Sequence, residues 1–138
     1  MSMEKELLNT FDKELLLKDL CARLPYGIKF LRESWNFETD QELSVIEVLE
    51  DIDKDGYINN TKVYKVEDIK PYLFPLSSMT EEQKEEYVSL QDRVIYNGQD
   101  FVNLDVMKYI DWCYKHHIDI NGLITMGLAI DATGLNIY

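Results

Sequence analysis

The chain has 138 residues, 46% of them hydrophobic and 29% charged, with a formal net charge of −12. That length suits one domain, residues 1–138, burying roughly two-thirds of its unfolded surface, and the composition is that of a globule rather than a disordered chain. The negative charge disfavours direct contact with a nucleic-acid backbone or an anionic membrane, both of which call for clustered Lys and Arg, and no apolar run approaches the roughly 20 residues that span a bilayer.

Met3, Leu7, Leu8 and Phe11 repeat at helical spacing, so residues 2–10 are expected to add a turn or a short helix of their own. Glu4 and Glu6 stand where the apolar core of a signal peptide would begin. A clear helix follows from about Phe11 to Leu24, with Leu16, Leu17, Leu20, Cys21 and Leu24 on its apolar face and Lys18, Asp19, Ala22 and Arg23 on the other. Pro25-Tyr26-Gly27 ends it. Cys21 and Cys113 both fall within apolar helical patterns, which reads as small buried hydrophobes in a reducing compartment. The cytoplasm is the expected location.

Residues 28–66 read as a small antiparallel sheet. Ile28 to Trp35 and Leu43 to Leu49 are rich in strand formers, and Tyr57-Ile58 and Val63 to Val66 flank the turn Asn59-Asn60-Thr61-Lys62. Four short strands with tight turns suggest a strongly bent sheet or an SH3-like partial barrel. From Asp68 to the helix start at Thr80–Gln83 the chain is expected to run as a stiff connector, because Pro71 and Pro75 each remove a backbone donor and hold the preceding residue extended.

The second half reads as helical. Thr80 and Gln83 have capping-box spacing, with Glu81 and Glu82 suited to the positive end of a helix running to about Arg93. After Asn97-Gly98, a helix from near Asn103 to about His116 shows a core face of Val106, Met107, Ile110, Cys113 and Tyr114, and a polar face of Asp105, Lys108, Asp111 and Lys115. Beyond Asn121-Gly122 a short turn ends at Gly127, with Leu128 folding back toward Leu123 as in a Schellman cap. The fold class is therefore α+β: an N-terminal helix, a β-rich part over about 25–70, and a helical part over about 78–130.

Asp51-Ile52-Asp53-Lys54-Asp55-Gly56-Tyr57-Ile58 carries the strongest chemical motif. Carboxylates at alternate positions, a sharp-turn glycine and an apolar residue two further on match the start of an EF-hand loop, so Asp51, Asp53 and Asp55 are candidate Ca2+ ligands. The twelfth position, which should be a bidentate Glu, is Lys62, and the flanks read as strands. Weak calcium binding is thus the alternative to an Asp/Gly-rich β-turn, and no other cofactor is implied. His116, His117 and Asp119 are a second candidate cluster, for a metal or a hydrolase, but adjacent helical residues point about 100° apart. A helix C-terminus, which favours a partly charged histidine, is the simpler reading. No G-x-S-x-G, P-loop or dinucleotide fingerprint occurs, Ser77 and Ser78 sit near a helix start, and Glu85 and Glu86 lie on a solvated face. Trp35, Trp112 and His116 remain as interaction candidates, the tryptophans as a protein-binding hot spot if exposed and close together.

Three blocks carry a resemblance. They are Leu15 to Gly27, Asp68 to Gln83, and the set Asp111-Trp112, His116 to Asp119, Gly122 to Ile124 and Gly127 to Ala129. Together they cover somewhat under half of the chain, and they resemble a group of small uncharacterised proteins encoded by phages, prophages and other mobile elements of gut bacteria. The Asp51–Asp55 loop lies outside the blocks, and Cys113-Tyr114-Lys115 departs from the usual pattern of its helix. The resemblance implies a context and no activity or site residues. The expected function is accordingly that of a non-enzymatic accessory protein of a phage or mobile element, binding an unknown protein partner through an acidic surface. Such a face could dock a basic partner, in the extreme by imitating the charge of DNA.

Overall fold

The computed structural model describes residues 10–36, 41–60, 62–97 and 104–138. The expected extra turn at residues 2–10, the Gly98 turn and Asn103 fall on residues outside these ranges, apart from Thr10, which begins the first helix.

The α+β reading holds. Helix α1 (Thr10–Arg23) leads through a 3-10 turn to β1 (Lys29–Asn36) and β2 (Gln41–Val48), then the short strands β3 (Tyr57–Asn59) and β4 (Val63–Lys65), and a further strand β5 (Ile69–Leu73). Helices α2 (Glu81–Asn97) and α3 (Leu104–Lys115) and the short strand β6 (Ile130–Asp131) complete the order. The main sheet runs β2-β1-β5-β6, antiparallel except for the parallel β5–β6 pair, while β3 and β4 form a separate hairpin. The four strands read from the sequence therefore do not share one sheet.

β5 corrects the expectation of a connector. Ile69 to Pro71 pair with β1, and Tyr72 and Leu73 pair with β6. Leu73 accepts from the Ala132 N–H on the β6 side. Backbone groups alternate sides along a strand, so the nitrogen of Pro71 also faces that side, where β6 does not reach it. Proline is compatible with this strand because it stands where no ladder bond is asked of it.

The core draws on both ends of the chain. Leu16 and Leu20 of α1 meet Ile28, Phe30, Leu49, Ile58, Val66, Ile69 and Leu73, and Leu123, Leu128 and Ala129 close over them. The hairpin is fastened to the end of β2 by Asn60, which donates to the Val48 carbonyl at 2.7 Å and accepts from the Glu50 N–H at 2.9 Å. At Gly56 the backbone turns with φ +85, and an added Cβ would meet Lys13 at 3.4 Å. Glycine suits that position because of the positive φ, since the Lys13 contact is an ordinary one.

Local signals were realised as written. The Thr80 hydroxyl accepts from the Gln83 N–H at 3.1 Å while the Gln83 side chain accepts from the Thr80 N–H at 3.0 Å, the reciprocal pair of a capping box. Gly127 has φ +78, and the Leu128 N–H reaches the Leu123 carbonyl at 2.9 Å, completing the Schellman cap. Two face assignments are corrected. Met107 is 67% exposed, because its helix packs through Val106, Ile110 and Cys113 instead. In α1, Asp19 and Arg23 are buried and Cys21 is exposed, so the helix turns a polar pair inward.

Candidate functional site

Helix α3 ends in a second Schellman-type turn, with the Ile118 N–H bound to the Cys113 carbonyl at 2.9 Å and the His117 N–H to the Tyr114 carbonyl at 3.0 Å. His117 takes the position usually given to glycine, with φ +60. The chain then runs beside β5: the Phe74 N–H donates to the His117 carbonyl at 2.8 Å and the Asp119 N–H to the Phe74 carbonyl at 2.9 Å. Asp119 uses both carboxylate oxygens to cap the next turn, accepting from Leu123 and Ile124 at 2.9 Å each.

The two histidines and Asp119 are thus close in sequence and separate in task. The His116 ring lies 4.5 Å from that of Trp112, and the His117 ring stacks on Tyr138 at 3.9 Å with 17° between planes. Burial, reinforced by the Arg23 charge and by His116 and Lys29, pushes the His117 imidazole down from 6.5 to about 4, so it is neutral at pH 7. Its Nδ1 is buried with no hydrogen-bond partner among the described residues. The three groups do not form a cluster suited to a metal ion.

Beneath this turn lies a buried charge pair that the sequence reading placed in solvent. Arg23 and Asp19 are 0% and 1% exposed. The guanidinium donates to Asp19 through Nε at 2.6 Å and Nη2 at 3.2 Å, and Nη2 also reaches the Ile118 carbonyl at 2.7 Å. Asn121 donates to the same Asp19 carboxylate at 2.8 Å, and the Tyr114 ring sits 4.8 Å from the guanidinium carbon. The Asp19-to-Arg23 spacing of four was a signal for an ion pair. Nothing local marked it as buried, since the groups that enclose it come from residues 114–121.

The interaction candidates divide. Trp112 and His116 come together on the α2–α3 hairpin, where Tyr87 approaches Trp112 at 6.1 Å and Tyr109 at 5.5 Å. The Trp112 indole N–H donates to Glu86 at 2.8 Å, and the Tyr87 and Tyr109 hydroxyls are 2.8 Å apart. On α2 the exposed carboxylates Glu81, Glu82, Glu85, Glu86 and Asp92 outnumber the exposed cations Lys84, which pairs with Glu81 at 3.3 Å, and Arg93; Glu85, Glu86 and Arg93 lie beside Trp112. Trp35 lies in β1 opposite Glu42, and its side chain falls outside what the structure describes.

The Asp51–Asp55 segment is a turn between paired segments. Asp53 accepts from the N–H groups of Asp55 at 2.9 Å and Tyr57 at 3.1 Å, and the Tyr57 bond is the first cause holding its carboxyl below the usual range. Asn59 lies 3.4 Å from both Asp51 and Asp53. Asp51, Asp53 and Asp55 do not form a group suited to a metal ion, and no cluster of three such ligands occurs among the described residues. The Asp53 carboxylate, one of the three candidate ligands, is already turned onto the backbone, as in an Asx-turn. Millimolar calcium is expected to leave the melting temperature unchanged, and Asp53→Ala to lower it through loss of the turn. A calcium-dependent rise in melting temperature would show that the loop rearranges to bind.

The cysteines are poor nucleophiles. Burial raises the Cys113 thiol to about 11, and partial loss of solvation also raises that of Cys21, although the residue is exposed overall. No described helix is long and apolar enough to cross a membrane.

No protein family, curated protein or solved structure matches the chain.

Proposed function

We propose that the chain is a non-enzymatic accessory protein of a phage or mobile element, and that it binds a basic segment of a protein partner through the α2–α3 hairpin. One observation carries this reading: Trp112 and His116 lie 4.5 Å apart in an aromatic row beside the exposed Glu85 and Glu86, on a helix whose exposed carboxylates outnumber its exposed cations, Lys84 and Arg93. Aromatic anchors supply most of the energy of protein interfaces, and a surface with a net excess of one charge steers an oppositely charged partner. The separate tasks of His116, His117 and Asp119 and the raised cysteine thiols support a binding role over a hydrolytic one. The resemblance to mobile-element proteins supplies the context.

The test is affinity purification from native lysate at low and high salt, using the parent chain and the double variant Glu81→Lys/Glu85→Lys. Both positions are exposed, so the fold is expected to survive the exchange. The reading predicts a stoichiometric partner at low salt that is lost at high salt and held roughly tenfold more weakly by the double variant. A partner indifferent to both salt and charge reversal would refute it.

A further inference from the structure

The side chain of Tyr138 is held as a bound ligand would be. Its ring is stacked on the His117 imidazole at 3.9 Å, faces Phe74 at 5.8 Å, and has the Lys29 ammonium 5.6 Å from its centre. Its hydroxyl accepts from the Lys29 N–H at 2.8 Å and lies 2.8 Å from the Tyr72 carbonyl, to which it donates. These backbone groups would form the next rung of the β1–β5 ladder. Phe30 pairs with Pro71, so Lys29 stands opposite Tyr72. The strands part there and the phenol bridges the gap. At the floor of the slot, the site therefore demands a group that both donates and accepts, with a flat ring above it.

Part of the scaffold of this slot is held by contacts other than those of Tyr138. His117 keeps a left-handed backbone with φ +60, a conformation that a non-glycine residue adopts at a cost, and its carbonyl is fixed by Phe74. The tether is light by comparison. Thr133 to Asn136 are exposed, Gly134 and Asn136 have positive φ, and Tyr138 itself is 41% exposed. Lys29 Nζ donates to the Ile137 carbonyl, and the Leu135 N–H to the Ala132 carbonyl at 3.1 Å.

We propose that the slot formed by Lys29, Tyr72, Phe74 and His117 is a phenol-binding site whose resident occupant is Tyr138, exchangeable for a small phenol or for the tyrosyl side chain of another protein. The hydroxyl is the selective element. A ring without it takes a partner from the Lys29 N–H and from the part-buried Tyr72 carbonyl, and a site that pairs a hydroxyl discriminates against a ring lacking one.

The experiment uses Tyr138→Ala and the parent chain, titrated with p-cresol, toluene and a blocked tyrosine-containing tripeptide, and read from the amide resonances of Lys29, Phe74 and His117. For Tyr138→Ala, p-cresol should bind at least about tenfold more tightly than toluene, in keeping with the penalty for unpaired buried groups. The parent chain should need at least about tenfold more p-cresol for the same shifts, because its own ring competes at the high effective concentration of a tethered group. Binding of the tripeptide as well as p-cresol would identify a tyrosyl partner as an occupant, and binding of p-cresol alone a small phenol. If Tyr138→Ala is unfolded by itself, the same additions are read by circular dichroism, with p-cresol and not toluene restoring the native signal. Failure of p-cresol to bind or refold the variant, equal effects of toluene and p-cresol, or equal affinity for parent and variant would each overturn the proposal.

Discussion

Replacing Arg23 with methionine is expected to destabilise the fold by about 3–5 kcal/mol, the loss measured when one partner of a buried ion pair is removed. For a chain of this size that corresponds to a fall in melting temperature of more than about 10 °C. The large effect comes from what remains. Asp19 is 1% exposed and would keep only Asn121 as a donor to its carboxylate from the present set, while the Ile118 carbonyl would lose the Nη2 contact. Removing both charges in Asp19→Leu/Arg23→Met should recover most of the loss, because two apolar side chains of similar volume remove the need for pairing. Chemical denaturation of the parent, the two single variants and the double variant measures this coupling directly. A double variant as unstable as Arg23→Met would mean that Arg23 acts through Ile118 and Tyr114 and not through Asp19.

The second large effect is with pH. The folded chain holds His117 near 4, against an ordinary value of 6.5. Because the folded-state value is the lower one, the unfolded chain takes up the proton first as pH falls. Stability from this group is complete above about 6.5, declines as pH drops toward 4, and has no more to lose below that. The full span amounts to up to about 3 kcal/mol. Arg23, His116 and Lys29 each oppose a charge on the ring, and the Tyr138 ring covers one of its faces. Denaturation midpoints of the parent and His117→Gln, taken every half pH unit from 7.5 to 4, should show a slope in the parent that the variant loses. Subtracting the two profiles removes the contribution of carboxylates such as Asp53 and Asp131, which are also held below their usual range. Parallel profiles would show that His117 titrates normally. Arg23→Met should also raise the His117 titration toward its ordinary value, which links the two experiments.

What could be read from the sequence was what the chain decides within a turn or two. Thr80 with Gln83, and Gly127 with Leu123 and Leu128, were legible because every atom of those caps lies within six residues. The helix Thr10–Arg23 was equally plain, but its inward face was not. Periodicity sorts residues by polarity, and here the buried salt bridge draws two of its hydrogen bonds from Ile118 and Asn121, about a hundred positions away. Pro71 hid a strand for a related reason. Proline argues against a ladder in general, and only the position of β6 shows that its missing donor is not needed. At the candidate binding face the sequence supplied Trp112 and His116 as separate candidates, and the pairing of α3 with α2 brought Tyr87, Tyr109 and Glu86 to them. Tyr138 carried no signal, since its role depends on where β1 and β5 part.

The strand order also sets how the chain must fold. β5 stands between β1, some forty residues earlier, and β6, almost sixty residues later, and the parallel pair with β6 cannot be made by a hairpin. Closing such loops costs chain entropy before any contact repays it, so the central strand is fixed late. The helices can form within about a microsecond. The molecule as a whole should acquire its sheet orders of magnitude more slowly, and until then the apolar faces of Phe30 and Leu73 stand open to other chains.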